Sequence, residues 1–264
     1  MDKKLNKDLS DFYNQVYVKD EKKHFTIKRE SSSSSEIKEV LKQVSWKGKK
    51  VLDVGCGTGL FAYNAAKRGA FVLGIDFSTE AIDIASSQYS HKNLKFQSMD
   101  VNEIKEKFDV IVSNGTLEHM DDPLKSLKLF KRHLTKKGCI ITTSPNWSNP
   151  RGYMLMPLLL LFNAPITLAD LHYFTPVDFK NFSKQLGMSL SWKTFDKSWS
   201  HGDILVQDFK KRLPNVLRDS DLPNNQKNID LLIKWIENNI NKLNHDLPHS
   251  GATGLYKLTI KKNQ

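Results

Sequence analysis

The sequence predicts an α/β fold built on a parallel sheet. Three observations carry that prediction. Five short apolar segments alternate with helical patterns between residues 50 and 143, a glycine-rich turn follows the first segment, and Asp76 closes the second. Strands joined through helices pair in parallel by right-handed crossovers and carry helices on both faces.

Each element can be justified in order. Leu9, Phe12, Tyr13, Val16 and Tyr17 recur at helical spacing and predict a short amphipathic helix. The serine run 31–35 reads as a linker or mobile loop. Ile37, Val40, Leu41 and Val44 then fit a second helix ending near Gly48. Residues 1–48 form a helical cap by this reading, and residues 49–264 form the main domain. Residues 50–54 make the first strand, and residues 60–68 a helix closed by Gly69. Residues 70–75 make the second strand, and Ser78 caps a helix running to about Gln88. Residues 94–97 and 108–112 are the third and fourth strands. Residues 123–134 are helical and end at Lys136-Lys137-Gly138, before a fifth strand at 139–143. Thr175 and Pro176 open a helix over 176–186, which precedes a sixth strand at 188–195. The last strand is 255–261. Two additions interrupt the alternation, at 145–175 and 196–253, and the second carries one strong helix at 229–243.

Composition excludes several classes. Hydrophobic residues make up 39% of the 264, including 14 Phe and 5 Trp, so the chain can bury a core and is not disordered. Two cysteines, Cys56 and Cys139, do not make a disulfide scaffold. Forty Lys and Arg against 29 Asp and Glu give a net charge of +11. Such a surplus suits nucleic acid, an acidic substrate or an anionic membrane surface. Zinc-finger spacing, an aromatic RNA-binding signature and a long basic arm are all missing, so the surplus reads as a solubilising surface and no nucleic-acid partner is expected. The start Met1-Asp2-Lys3-Lys4 has no apolar leader, and the apolar run 154–162 is interrupted by Pro157. A spanning helix needs about 20 residues, so the expected setting is cytoplasmic, with peripheral membrane contact at most.

The segment Asp53-Val54-Gly55-Cys56-Gly57-Thr58-Gly59 carries the chemistry. Its glycines let the backbone turn tightly and approach a ligand, and the helix that follows offers N-terminal amides. Asp76, at the end of the second strand, suits the two hydroxyls of a ribose. That much fits any Rossmann-type nucleotide site. A dinucleotide enzyme would show G-x-G-x-x-G, whereas the spacing here is G-x-G-x-G with Asp53 two residues ahead. A carboxylate there repels a pyrophosphate and tolerates a cationic sulfonium ligand with an α-amino group.

These residues resemble the class I S-adenosylmethionine-dependent methyltransferases, over roughly residues 49–190. Asp53, Gly55, Cys56, Gly57 and Gly59 match the family's methionine-side motif. Asp76, followed by Phe77 and Ser78, matches its ribose-binding acid. Asp100, flanked by Met99 and Val101, matches the acid that reads the adenine amino group. Residues 108–111 match its fourth strand, and Asn114 its methionine end. The resemblance implies a Rossmann-like sheet of seven strands, the seventh antiparallel between the fifth and sixth, with S-adenosyl-L-methionine as cofactor. Glu118-His119-Met120-Asp121-Asp122-Pro123 resembles an element of ubiquinone-type and natural-product O-methyltransferases, in some of which the matching histidine is the base. By that analogy His119 is the catalytic base; the residues alone equally allow it to pack against the pocket or cap the next helix. Some quinone-pathway relatives hold a metal with Glu-x-x-Glu-His. Gly115 stands at the first position here, so no metal is expected.

Acceptor recognition falls to the additions. Tyr13 and Tyr17 could cover the site as a lid or simply pack their helix. Trp147, Tyr153 and His172 are candidate acceptor contacts, His172 alternatively fixing its loop. The apolar segment 154–162 suits a hydrophobic pocket, a membrane interface or a core helix. The leading expectation is methyl transfer to a small molecule, at oxygen, on a quinol, phenol or lipid-like acceptor. A protein or RNA acceptor and a non-catalytic cofactor-binding scaffold are the alternatives, and oligomeric state is not legible.

Overall fold

A computed structural model describes residues 30–167, 169–243 and 245–261, with side chains from residue 35 onward. The expected helix around Tyr13 and Tyr17 lies outside these residues. Seven strands form one sheet: β1 (Lys50–Val54), β2 (Phe71–Asp76), β3 (Leu94–Ser98), β4 (Phe108–Asn114), β5 (Leu134–Pro145), β6 (Met188–Phe195) and β7 (Thr253–Ile260). Their order is β3-β2-β1-β4-β5-β7-β6. The first five are parallel, and β7 runs antiparallel between β5 and β6, as expected. Strand order reverses between β1 and β4, and in an open α/β sheet the ligand crevice lies beyond the carboxyl ends at such a switch.

Side chains alternate across the central strands, so each sheet face acquires its own core. Val51, Val110 and Val112 point to one face, under α1 (Glu30–Leu41) and α2 (Leu60–Lys67), where Phe61, Ala62, Ala65 and Ala66 are buried. Leu52, Ile111 and Phe108 point to the other, under α4 (Pro123–Arg132) and α6 (Pro176–Leu186), through Leu127, Phe130 and Phe179. Ser78 caps α3 (Thr79–Gln88) by accepting from the Ala81 amide at 3.1 Å, a contact worth about 1 kcal/mol. Thr175 and Asp178 form a capping box at the start of α6.

Three expectations need correction, and one open alternative is decided. The serine run 31–35 belongs to α1 and is not a linker. Serine has only intermediate helix propensity, but Val40 and Leu41 are anchored in the core, and extending an existing helix costs little. Lys136, Lys137 and Gly138 lie within β5 instead of ending a helix; Leu134 pairs with Phe108 and Cys139 with Val110, so residues 135–138 bulge out opposite Asp109. The apolar segment 154–162 takes the helical alternative: it is the body of α5 (Pro150–Phe162), capped by Asn149, with Leu155 fully buried. The second addition holds three α-helices where one was expected: α7 (Lys197–His201), α8 (Asp203–Asp219) and α9 (Gln226–Trp235), the last continuing as a π turn over Ile236–Ile240. In α8, Leu205, Val206, Phe209, Leu213 and Val216 have helical spacing, but Pro214 disguises it.

The two additions share a third core. Trp147, Leu155 and Ile166 from the first pack with Leu205, Phe209, Leu213, Ile229 and Ile233 from the second. At its centre Arg212 forks onto Asp208, with two bonds of 2.8 Å, and Arg151 stands 3.7 Å from the same carboxylate.

Candidate functional site

The carboxyl ends of β1, β2 and β4 converge on a cavity of about 470 Å³. The β1–α2 turn forms its floor, because glycine frees the backbone there. Gly55 has φ +70°, and a Cβ on it would sit 2.5 Å from the Thr116 side chain. The Gly55 and Cys56 amides donate to the Ile75 carbonyl at 2.9 and 3.0 Å, which ties the loop to β2. Asp76 is clamped where β2 ends: its carboxylate accepts from the Gly57 amide at 2.9 Å and the Ser78 amide at 3.0 Å. Burial outweighs those bonds and holds its pKa above the usual carboxylate range.

Asp53 is the unusual member. It is 1% exposed, lines the cavity, and among the described residues has no hydrogen-bond partner on either carboxylate oxygen. Burial, helped by the Asp76 carboxylate, pushes its pKa up to about 8. A buried carboxyl without a partner costs stability unless a ligand supplies donors or positive charge. The fold therefore keeps a strained acid facing a crevice made of glycine and a second acid. Such a set of acceptors suits a cation with an amino group and a ribose and does not suit a pyrophosphate, so these residues fit S-adenosylmethionine.

The strain has a pH signature. Asp53 takes up a proton more readily folded than unfolded, so between about pH 4 and pH 8 the folded state holds the extra proton. Its contribution to stability is complete below that window and is lost as pH rises through it. Asp53→Asn should therefore gain on the wild type as pH increases, with about 1–3 kcal/mol of relieved desolvation at pH 8. Thermal scans of the ligand-free proteins at pH 5 and pH 8 test this; a gap that stays constant, or narrows with pH, contradicts the assignment.

Among the residues expected at the cofactor, Asp53, Gly55, Cys56, Gly57, Asp76, Phe77 and Asn114 all line this cavity. Gly59 sits behind it as the N-cap of α2, with φ +82° and the Phe96 ring against it. Met99, Asp100 and Val101 lie outside the lining; Asp100 caps a short 3-10 turn, Val101–Glu103, accepting from the Asn102 amide at 2.7 Å.

His119 stands on the β4 side of the cavity wall. Its Nδ1 lies 2.9 Å from the Ala169 carbonyl and 3.6 Å from Asp170 Oδ1. The contact with a carbonyl places the proton on Nδ1, so Nε2 carries the basic lone pair. Asp170 was not singled out from sequence. Its only advance signal is its position just ahead of His172. Buried Glu118 adds a second acid behind the wall, with its pKa driven well above the usual range by burial and by Asp170. The segment bearing Asp170 is lashed down: the Leu171 and His172 amides donate to the Glu118 carbonyl, and His172 Nε2 donates to the Met120 carbonyl at 2.8 Å. His172, stacked on Phe174, thus fixes its loop outside the cavity lining.

The remaining acceptor candidates scatter. Trp147 is buried against Tyr173 and Arg151 in the core of the additions. Tyr153 lines a smaller apolar pocket of about 220 Å³ with Trp235, Ile240 and Leu247. Tyr13 and Tyr17 lie outside the described residues. Glu36 and Ile37 of α1, neither expected at the site from sequence, do line the main cavity, so α1 forms part of its wall.

Comparison with known proteins agrees with the geometry. A family described as "Methyltransferase domain" matches residues 45–197, more than half of the chain. The ubiquinone biosynthesis O-methyltransferase of Coxiella burnetii (strain Dugway 5J108-111) is 38% identical over 97 residues, covering 35% of this chain and 42% of that protein. The Haemophilus ducreyi protein of the same name is 37% identical over 120 residues, covering 41% and 50%. The chain thus spans about half the length of the curated relatives it matches. Among solved structures, magnesium protoporphyrin IX methyltransferase from Synechocystis PCC 6803, with bound S-adenosylhomocysteine, superposes with a TM-score of 0.56 at 15% identity, over 70% of this chain and 90% of that one. Mycolic acid cyclopropane synthase, also with S-adenosylhomocysteine, reaches 0.58 at 14% identity, over 96% and 94%. Fold and site thus define a Rossmann-like cradle for an adenosyl cofactor. The chain belongs to the methyltransferase-domain family and carries the cradle of an S-adenosylmethionine-dependent enzyme.

Proposed function

We propose that the chain transfers a methyl group from S-adenosylmethionine to the oxygen of a small hydroxylated acceptor of phenol or quinol type. One observation carries this reading: a single cavity holds the Asp76–glycine cradle and, on its β4 side, a histidine backed by a carboxylate. When bound, the cofactor supplies an electrophilic methyl group. Asp76 and the glycine turn would hold the ribose, and Asp53 and Asn114 the methionine end. His119 takes the hydroxyl proton as the acceptor oxygen gains the methyl, and Asp170 stabilises the imidazolium that results. The ubiquinone-biosynthesis relatives support oxygen as the acceptor atom.

Mass spectrometry of catechol, hydroquinone and aniline, each incubated with the protein and S-adenosylmethionine, tests the reading. Methyl ethers of the hydroxylated rings are the expected products. Methylation of aniline alone sinks it, and labelling of added RNA or protein alone favours the macromolecular alternative. Tight S-adenosylhomocysteine binding without any product favours the scaffold.

The end of α5 supports a hydrophobic side to this function. Leu160 and Leu161 are 71% and 72% exposed, and Phe162 is half exposed. Among the described residues no helix is long and apolar enough to cross a membrane. On this reading the apolar helix end rests at a bilayer surface and receives a lipid-like acceptor from it. Sedimentation with phosphatidylglycerol vesicles should carry the wild type down, and Leu160→Glu/Leu161→Glu should lower the bound fraction about tenfold. Equal partitioning of the two proteins removes the membrane from the account.

A further inference from the structure

The cavity holds one acid that the cofactor does not need. Glu36 projects from α1, and its carboxylate accepts a hydrogen bond from Thr143 Oγ1 near the carboxyl end of β5. Thr143 is itself placed by its neighbours: its Oγ1 accepts from the Gly115 amide at 3.2 Å. This chain of contacts sets Glu36 over β4 and β5. The Asp76 clamp stands over β2, on the far side of β1 in the sheet order. A ligand whose ribose is held at Asp76 and whose other end reaches Asn114 runs from β2 to β4, and the acceptor lies beyond it. Glu36 and His119 are the charged or titratable side chains of the lining on that side.

The lining has a second property. Among the described residues, Glu36, Asp53 and Asp76 are the acids of the lining, and no Lys or Arg belongs to it. In a chain of net charge +11 the crevice is therefore locally acidic. Glu118 lies just behind Gly115, its Oε1 3.8 Å from where a Cβ on that glycine would stand. Asp170 stands behind His119. The acceptor end is ringed by carboxyl groups, one of which faces in.

We propose that Glu36 is the specificity-determining anchor of the acceptor: it accepts a hydrogen bond from a second donor group of the acceptor, while the reacting hydroxyl meets His119. This inference rests on the methyl-transfer reading above and narrows its substrate class. The acceptor carries two donor groups, as a catechol or quinol does, and no carboxylate or phosphate near the reacting hydroxyl, because an anion there would face Glu36 across a desolvated gap. Burial holds the Glu36 carboxyl above its usual pKa, and a donor group of the acceptor would restore its anionic form by hydrogen-bonding to it.

Two probes of equal ring size separate the possibilities. Calorimetry of catechol and of salicylate against the protein saturated with S-adenosylhomocysteine reads the acceptor side without turnover. Catechol should bind at least tenfold tighter than salicylate. Glu36→Gln should weaken catechol about tenfold and close the gap, while the affinity for S-adenosylhomocysteine stays within twofold of wild type. Thr143→Val, which frees the Glu36 carboxylate to move, should give part of the same loss. Four results overturn the proposal: salicylate binding as tightly as catechol, a gap unchanged in Glu36→Gln, neither ring binding, or a loss of S-adenosylhomocysteine affinity in Glu36→Gln as large as in Asp76→Ala. Failure of the wild type to bind S-adenosylhomocysteine at all would instead strike the methyl-transfer reading itself.

Discussion

Replacing Asp76 with alanine should raise the dissociation constant for S-adenosylhomocysteine by about 100-fold, or about 2.7 kcal/mol. The size follows from the site. A hydrogen bond to a charged group contributes about 1.5–3 kcal/mol, and a carboxylate facing a ribose can receive two. Part of the loss is indirect, because the same carboxylate pins the Gly57 and Ser78 amides and so shapes the turn. Asp76→Asn separates the two effects: it retains an acceptor for one amide and should lose less. Titration calorimetry with S-adenosylmethionine, S-adenosylhomocysteine and NAD reads this directly, and NAD should not bind, since the spacing and Asp53 disfavour a pyrophosphate. Circular dichroism should show Asp76→Ala folded, because the clamp lies on the surface of the crevice and not within either sheet core. Unchanged affinity would remove Asp76 from the cofactor site.

His119→Ala should cut kcat on the hydroxylated acceptor by about 100- to 10,000-fold, the usual worth of a positioned general base. S-adenosylhomocysteine affinity should remain within twofold, because the ribose clamp is built from β2 and the glycine turn. Asp170→Asn should cost less, about tenfold, since His119 would keep its contact with the Ala169 carbonyl and lose only charge stabilisation. That ordering, histidine above aspartate with binding intact, distinguishes a base from a packing residue. Equal, small losses in both variants would leave His119 as part of the wall.

The order of the strands β1 to β6 was legible because each contains a short apolar run bounded by a local signal. Ser78, Thr175-Pro176 and Gly69 mark helix ends that the structure retains. The crevice at the ends of β1 and β2 was legible for the same reason: a glycine turn and a terminal acid are local in sequence and dictate their own geometry. The acceptor face was not. Glu36 and Thr143 are over a hundred positions apart, and their contact exists only because α1 crosses the sheet end. Asp170 meets His119 through a segment held by bonds to backbone carbonyls, which leave no residue pattern. Helices were missed where one local cue outweighed periodicity. Pro214 hid α8, and the serine run hid the first turns of α1.

The hairpin of β6 and β7 has a bearing on how this chain could diversify. Phe195 pairs with Thr253, and the Ala252 amide donates to the Asp196 carbonyl, so the long excursion between them departs and returns at one point of the sheet. An inserted segment whose ends already touch adds little closure entropy to the strands that carry it. Its helices consolidate instead with α5, the other addition, around a core of their own. The additions thus form a cassette mounted at two ports, one after β5 and one between β6 and β7. Its exchange as a unit leaves strand register and the glycine turn undisturbed, so this part of the chain can vary while the crevice around Asp53 and Asp76 stays as it is.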